Sequence, residues 1–319
     1  MKKRGVGYAA IFYGTGYGNG FPDESRATAE ISSEGLINMF VGVAEVGQGG
    51  ISTMWQIAAE TLEVPKELVK IRNNSTSIMK DSGTAAASRQ TYNTGNAVLD
   101  AARKLKVNMD LAVAKENNLS IDDLSISDLY KLMLKNNIDT RVEGYFKATT
   151  SQVNLETGQG DPYWPYSFGA QRVEVEVDDE TGKVDVKEVY AVNDAGRIIN
   201  PVLSAGQAQG GCAMGIGYAI MEEVELDKGD IKNKNFSDYI IPTSMDIPNI
   251  KTYFVEDLEA TGPYGAKGMG ESVMIPTAPA IINAIYNAIG VRIYDLPATC
   301  DKILLAIKDK AKNNNIQDK

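Results

Sequence analysis

The sequence predicts an α+β protein built as two related lobes, each a mixed or antiparallel sheet with packed helices. Three observations carry this. Two stretches, Ala27–Gly42 and Gln171–Val192, alternate apolar and polar residues with period two about a short turn, as hairpins do. The run Thr277–Ile289 instead places apolar residues at i, i+3, i+4 and i+7 and stops at Gly290, the pattern of an amphipathic helix. Finally, hairpin, Gly-Gln turn and helix occur twice, around Gln48 and around Gln207. The expected lobes are residues 1–150 and 151–319, divided at the irregular aromatic crossing 151–170.

In chain order, the opening glycine- and tyrosine-rich segment to Gly20 reads as a strand breaking into a loop that passes close to something. The first hairpin turns at Ser32-Ser-Glu-Gly35, and a helix follows from about Ser52 to Leu62, closed by Pro65. A short strand at Lys70 leads through a run rich in small and hydroxyl residues to a helix over Gly95–Ala114. A second helix over Ile121–Leu134 has polar flanks and is expected on the outside. After a strand at Val142 and the aromatic crossing come the second hairpin, a Gly-Gln turn at Gly206-Gln207 and an apolar helix from Cys212 to Met221. A strand near Ile250–Glu256, the Thr277 helix, a short Pro-initiated helix after Asp295 and a polar, frayed tail from Lys308 complete the chain.

Composition narrows the chemistry. With 32 basic and 42 acidic residues the net charge is −10, and the basic residues do not cluster, which argues against nucleic acid or an anionic membrane as partner. The longest apolar runs are too short to span a bilayer, and the N-terminus has no signal-peptide pattern. Two distant cysteines, Cys212 and Cys300, build no disulfide framework and fit a reducing cytoplasm. Histidine is absent, so Ser-His-Asp and Cys-His catalysis are excluded along with the usual zinc sites. Acid–base chemistry falls to carboxylates, Lys, Tyr or a cofactor.

Four stretches carry candidate chemistry, three of them with a plainer alternative. Gly265-Ala-Lys-Gly-Met-Gly-Glu271 lets backbone approach a bulky ligand and sets one carboxylate where a loop meets a helix. In a water-poor pocket that carboxylate would be tuned as a general base, whereas in solvent it would only complement the helix dipole. The turn Gly47-Gln48-Gly49 at a helix start offers free N–H groups to an anion or a polar ring edge. The segment Asp81–Gly95, with hydroxyls and the single Arg89, can wrap a phosphate or be a polar surface loop, and it lacks the Walker A spacing. Tyr13 and Tyr17 are either packing residues or an aromatic wall.

Seven pieces in order resemble the molybdenum-binding part of the xanthine dehydrogenase/aldehyde oxidase family of molybdenum hydroxylases. They are Glu45-Val-Gly-Gln48-Gly, Asp81-Ser-Gly-Thr-x-x-x-Ser-Arg-x-Thr91, Asp194-x-Gly-x-x-x-Asn-Pro201, Gly206-Gln207-x-x-Gly-Gly, Tyr239-x-Ile-Pro242, Gly265-Ala-Lys-Gly-Met-Gly-Glu271 and Asp295-Leu-Pro297. The resemblance covers the C-terminal half of what is usually one larger molybdenum subunit. It implies the C-terminal molybdopterin-binding fold and a split arrangement, with a large molybdopterin subunit, an iron–sulfur subunit carrying [2Fe-2S] clusters and a FAD subunit as partners.

For the site, the resemblance implies that Glu271 is the catalytic base. Gln48, with Gly47 beside it, and Gln207 would meet the pterin. Ala85, Ala86, Ser88, Arg89 and Thr91 would cradle the pyrophosphate, and Lys267 and Gly268 would lie in the cofactor-facing loop. Tyr13 and Tyr17 would face substrate, although Gly18 stands where the family often has a hydroxyl residue. The implied cofactor is molybdenum held by molybdopterin, commonly the cytosine dinucleotide, with a sulfido or selenido ligand and no direct protein ligand to the metal. The implied reaction hydroxylates an electron-poor carbon of an N-heteroaromatic substrate such as nicotinate, using water. Purines, aldehydes or carbon monoxide are the alternative substrates, and a non-catalytic pterin-gripping module is the alternative role.

Overall fold

A computed structural model describes residues 1–18, 21, 23–116 and 119–317. Asn19 and Gly20, at the end of the expected opening loop, lie outside the described residues, as do Asp318 and Lys319 of the tail. The elements run β1 (Lys2–Gly14), β2 (Glu24–Ile31), β3 (Ile37–Val41), α1 (Gly50–Leu62), β4 (Val69–Arg72), α2 (Gly95–Ala114), α3 (Ile126–Lys135) and β5 (Arg141–Lys147). They continue with β6 (Tyr166–Asp178), β7 (Val184–Asp194), α4 (Pro201–Ile220), the two-residue strands β8 (Leu226–Asp227) and β9 (Asp230–Ile231), β10 (Asn249–Val255), α5 (Thr277–Ile289) and α6 (Cys300–Gln317).

Two four-stranded sheets organise these elements, ordered β4-β3-β2-β5 and β10-β7-β6-β1. Each has an antiparallel hairpin, β2–β3 or β6–β7, followed by a helix, α1 or α4. Next comes a strand parallel to the hairpin's second strand: β4 beside β3, β10 beside β7. A loop and a second helix, α2 or α5, follow. The fourth strand of each sheet pairs antiparallel with the hairpin's first strand, but its origin differs. β5 follows α2 in the same lobe, whereas β1 comes from the start of the chain and pairs with β6 from Lys2↔Asp178 to Gly14↔Tyr166. The lobes are thus related, but residues 2–14, expected in the first, lie in the second sheet. In both, the second helix lies so close to the fourth strand that only glycine fits. A Cβ at Gly144 would stand 2.1 Å from the Ala97 carbonyl oxygen, and one at Gly5 would stand 2.1 Å from that of Ala284.

Each lobe has its own core. One packs Ile31, Met39, Met54, Ile57, Leu105 and Met109 between the first sheet and α1–α3; the other packs Val173, Val175, Val189, Ile216, Ile281 and Ile285 around the second. Four local expectations need correction. The Ile121–Leu134 helix divides: a single turn at Ile121–Asp123 precedes α3, which starts where Ser125 caps the Asp128 N–H. Its apolar face, Ile126, Leu129 and Met133, is buried rather than lying outside. Strand β6 starts at Tyr166, inside the aromatic crossing, because its first residues pair with the end of β1. Helix α6 starts at Cys300 and runs to Gln317, so the Lys308 tail is helical as far as that residue.

The fourth correction bears on the site. Helix α4 starts at Pro201, with Asn200 accepting from the Leu203 N–H at 3.1 Å and proline at the first helical position, where its missing N–H loses nothing. Gln207 therefore lies inside a helix, not in a turn like that of Gln48. The helix keeps its glycines because neighbours pack on them: a Cβ at Gly211 would be 2.6 Å from Val273 and one at Gly215 2.4 Å from Thr277.

Candidate functional site

The loops between the parallel strand and the second helix occupy equivalent places in the two lobes, residues 73–94 and 256–276, and they meet. Ser88 Oγ donates to Glu271 Oε2 at 2.8 Å and accepts from the Glu271 backbone N–H at 2.9 Å. Gly268 lies directly against this contact, since a Cβ there would stand 1.8 Å from the Ser88 carbonyl oxygen. Ala87 and Ser88 both take left-handed backbone angles, φ 54° and 53°. For non-glycine residues this costs on the order of 1 kcal/mol each or more, so the surrounding packing must impose it.

A third segment completes the arrangement. Tyr13, next to last in β1, donates its phenol to the same Glu271 Oε2. Burial, and then the bond to Glu271, push the Tyr13 phenol above its ordinary range, so it stays a protonated donor. Glu271 itself is exposed. The water-poor pocket expected around it is not formed by the described residues. Its neighbours on the inner side are hydroxyl donors.

Strand β6 holds the loop from below with its inward-facing positions, two residues apart. Ser167 Oγ donates to the Gly268 carbonyl at 2.9 Å, and Gln171 Nε2 donates to the Val273 carbonyl at 2.7 Å while Gln171 Oε1 accepts from Thr277 Oγ1 at 2.7 Å. Cys212 lies against Gln171, and burial pushes its thiol up to about 11, which leaves it an uncharged packing group. Lys267 is turned inward. Its Nζ donates to Asp194 Oδ2 at 2.7 Å and to Asp257 Oδ2 at 3.4 Å, and its backbone N–H bonds the Ala195 carbonyl at 2.9 Å. Two of the sequence motifs, Asp194-x-Gly and the glycine-rich loop, are therefore partners of each other.

Arg89 departs most from expectation. The guanidinium assigned to a pyrophosphate is 1% exposed and paired with buried Asp23 through Nε. Nη1 donates to the Ser82 and Thr84 carbonyls, both at 3.1 Å, and Nη2 to the Glu24 carbonyl at 2.6 Å. Every nitrogen is committed inside the protein, so Arg89 shapes the loop rather than meeting an anion. The turn at Gln48 is corrected in the same way. Glu45 Oε1 accepts from the Gly47 and Gly49 N–H groups at 2.9 and 3.0 Å, and its Oε2 accepts from Ile51 at 3.0 Å, so the N–H groups expected to be free are taken. Burial alone would push the Glu45 carboxyl up. The N–H groups of Ile51, Gly49, Gly47 and Gly50 outweigh it and hold the carboxyl below its usual range.

Four candidate residues do converge. Gln48, Thr91, Gln207 and Lys267 line one small cavity of about 70 Å³ between the lobes, with Arg197 and Met269. Gln48 bonds the Ala44 carbonyl and Gln90 at its rim, and Ala85 and Ala86 are exposed on the neighbouring loop. A second cavity of about 260 Å³ adjoins it across Arg197, Ile198 and Ile199. The Arg197 guanidinium has no ion pair among the described residues, and sequence reasoning passed over it inside Asp194-x-Gly-x-x-x-Asn-Pro201. Tyr17 packs on Phe21, ring centroids 4.9 Å apart, not on Glu271. The missed residue there is Tyr163. A Cβ at Gly14 would be 2.5 Å from it, and one at Gly18 would be 2.9 Å from its hydroxyl, so Tyr163 sets a phenol where Gly18 offers none. Among the described residues no group of three or more Cys, Asp or Glu side chains could hold a metal ion.

Residues 1–248 match the family model of the molybdopterin cofactor-binding domain. The chain belongs to the molybdopterin-binding subunits of the xanthine dehydrogenase/aldehyde oxidase family. It is 33% identical over 311 residues to the xanthine dehydrogenase molybdenum-binding subunit of Escherichia coli O157:H7, covering 93% of this chain and 41% of that one. It is 30% identical over 299 residues to the nicotine 6-hydroxylase large subunit of Paenarthrobacter nicotinovorans, covering 88% and 36%. Among solved structures it is similar to the aldehyde oxidoreductase of Desulfovibrio gigas, with TM-score 0.84 and 32% identity over 96% of this chain and 33% of that one. The chain thus spans less than half the length of each of these relatives.

Proposed function

We propose that this chain supplies the catalytic base and one wall of the cofactor site of a molybdenum hydroxylase. In this reading the enzyme hydroxylates an electron-poor ring carbon of a small N-heteroaromatic substrate with water as oxygen source. The favoured reaction is nicotinate to 6-hydroxynicotinate, in an NAD(P)-linked cytoplasmic complex like nicotinate dehydrogenase, with this chain as its medium molybdopterin subunit. The carrying observation is Glu271, held at Oε2 by hydroxyl donors from β1 and from the other lobe's loop, two residues from Met269 of the interlobe cavity.

The residues present suit molybdopterin. Gln207 brings a side-chain amide to the cavity, as the hydrogen-bonding edge of a pterin requires, with Thr91 beside it; Gln48 lines the same cavity with its Nε2 already donating to the Ala44 carbonyl and Gln90 and its Oε1 accepting from the Val46 N–H, so it offers a ligand only the second lone pair of Oε1. A Cβ at Gly47 or Gly206, each next in sequence to one of these glutamines, would meet open space, so a flat group can lie on bare backbone there. Arg197, rather than Arg89, is the cation offered to a pyrophosphate, with Ser88, Ala85 and Ala86 on the adjoining loop. When bound, the molybdenum cofactor, as the cytosine dinucleotide with a sulfido or selenido ligand, activates water and accepts two electrons.

The chain's own part is proton transfer and orientation. Tyr13 and Ser88 fix one carboxylate oxygen, and Oε1, which accepts no hydrogen bond among the described residues, is left to receive the proton of the attacking water-derived group. A positioned base contributes about 10²–10⁴-fold. The faces of Tyr13 and Tyr163, with Tyr17 packed on Phe21 on the same glycine-rich segment, offer a planar ring its stacking surface. The rest of the pocket, the [2Fe-2S] clusters and FAD are assigned to the large molybdopterin, iron–sulfur and FAD subunits.

The heteroaromatic choice draws on the relative named nicotine 6-hydroxylase; the relative named xanthine dehydrogenase supports purine oxidation as the second reading. The test is to purify the complex, measure its molybdenum and offer nicotinate, xanthine and an aldehyde. Molybdenum with highest kcat/KM on nicotinate supports the proposal. Preference for xanthine or the aldehyde overturns the substrate, and absence of molybdenum overturns the whole reading.

A further inference from the structure

The stretch Gly265–Gly270 that delivers Glu271 is mostly glycine and alanine, so its own backbone preferences fix little. Its position has to come from what it is tied to. Lys267 is the one polar side chain in that stretch, and it is turned into the protein. Lys267 and Asp194 are each 6% exposed, with Nζ donating to Asp194 Oδ2 at 2.7 Å. Asp194 is the last residue of β7, paired with Val255 of β10, and its Oδ1 accepts from the Gly196 N–H at 2.9 Å, which aims Oδ2 at the ammonium. Asp257, mostly in solvent, accepts a second ammonium hydrogen bond at 3.4 Å.

Backbone bonds close around this pair. The Lys267 N–H donates to the Ala195 carbonyl and the Arg197 N–H to the Gly265 carbonyl, both at 2.9 Å. Between them Gly196 and Ala266 form an antiparallel bridge. A Cβ at Gly196 would stand 2.1 Å from the Gly265 carbonyl oxygen, so only glycine allows the approach. The Ile198 N–H donates to Glu256 Oε1 at 2.9 Å. The segment of Arg197, which lines both interlobe cavities, and the loop of Glu271 are thereby clasped together around one buried ion pair.

We propose that Lys267 is a positioning residue: its ion pair with Asp194 fixes the root of the glycine-rich loop so that Glu271 arrives at Ser88 and Tyr13. A buried ion pair adds little net stability over well-packed apolar residues, but it is satisfied in one arrangement of its partners, where apolar contact tolerates several. The kinetic consequence rests on Glu271 acting as the base; the order of the loop does not.

The test uses variants of the purified complex. Lys267→Met alone strands the Asp194 carboxylate in the interior and should lower Tm sharply. Lys267→Met combined with Asp194→Asn removes both charges and keeps an acceptor for the Gly196 N–H, so Tm should return close to wild type. In that double variant the Glu271 amide, which donates to Ser88 Oγ at 2.9 Å, should exchange about tenfold faster, the signature of a loosened local unit. In step, kcat should fall by about 10²-fold, as for a catalytic group displaced by about 1 Å, with KM and molybdenum content unchanged. Wild-type exchange at Glu271, or kcat lost only in proportion to molybdenum, overturns the positioning role. Faster exchange with unchanged kcat overturns Glu271 as the base and supports the hold of Lys267 on the loop. If the double variant does not fold, exchange in the wild-type complex decides. Equal protection of the Arg197, Lys267 and Glu271 amides supports a single clasped unit, and a Glu271 amide that opens well before the other two overturns it.

Discussion

Gly268→Ala should separate a glycine needed for the protein's own geometry from one that merely leaves room for a ligand. The new methyl would stand 1.8 Å from the Ser88 carbonyl oxygen, a backbone atom that no side-chain rotation can move. That separation has to open to about 3.0 Å or more before two such atoms tolerate each other. The loops therefore part by more than an ångström where Ser88 Oγ meets Glu271 Oε2 at 2.8 Å, and that hydrogen bond goes with them. Overpacking of this kind typically costs about 1–3 kcal/mol of stability. Misplacing a catalytic group by about 1 Å can cost about 10²-fold in rate. Steady-state kinetics on the purified complex should show that loss in kcat, while thermal unfolding should shift by only a few degrees. A variant with full kcat would show that the Ser88 contact is not what orients Glu271.

Arg89→Leu removes one member of a buried pair and strands Asp23, so it should destabilise the protein by about 3–5 kcal/mol, read as a large drop in Tm, instead of acting mainly on cofactor affinity. Glu45→Gln should show a pH-dependent cost. The folded carboxyl titrates below its unfolded value, so its contribution is present above an unfolded pKa of about 4.3 and fades as pH falls through the folded value; denaturant unfolding should find wild type ahead at pH 7 and the two converging toward pH 3. Tyr13→Phe keeps the ring and deletes one of the two hydroxyl donors to Glu271, so kcat should fall by about tenfold with molybdenum unchanged, as for one lost charge-assisted hydrogen bond.

What the sequence disclosed was what is local. Period-two runs became β2–β3 and β6–β7, and the 3.6-residue pattern of Thr277–Ile289 became α5 with Gly290 as its left-handed stop. Glu271 became a candidate from its glycine-rich setting together with the family resemblance, but its partners were not legible, because Tyr13 and Ser88 lie 258 and 183 residues away. The pairing of β1 with β6 is hidden for the same reason, since nothing within Lys2–Gly14 names a strand so distant. Arg89 looked like an anion receptor because charge is visible in a sequence and Asp23 waiting beneath it is not. Gln207 was misplaced when the glycines around it were read as a turn. The Asn200-Pro201 start was the better signal, and the glycines serve the packing of Val273 and Thr277. Glu45 could have been found, as an acid just ahead of a helix start.

Glu271 is the proposed proton acceptor, held in place by Tyr13 and Ser88. Glu271→Gln tests it most directly, because the amide keeps the size of the side chain and can still accept from Tyr13 and Ser88 through its oxygen. In the purified complex, kcat should fall by about 10²–10⁴ with molybdenum content at the wild-type level, and the acidic limb of the kcat/KM pH profile should vanish. Near wild-type turnover with full metal, or loss of activity only in proportion to lost molybdenum, would contradict it.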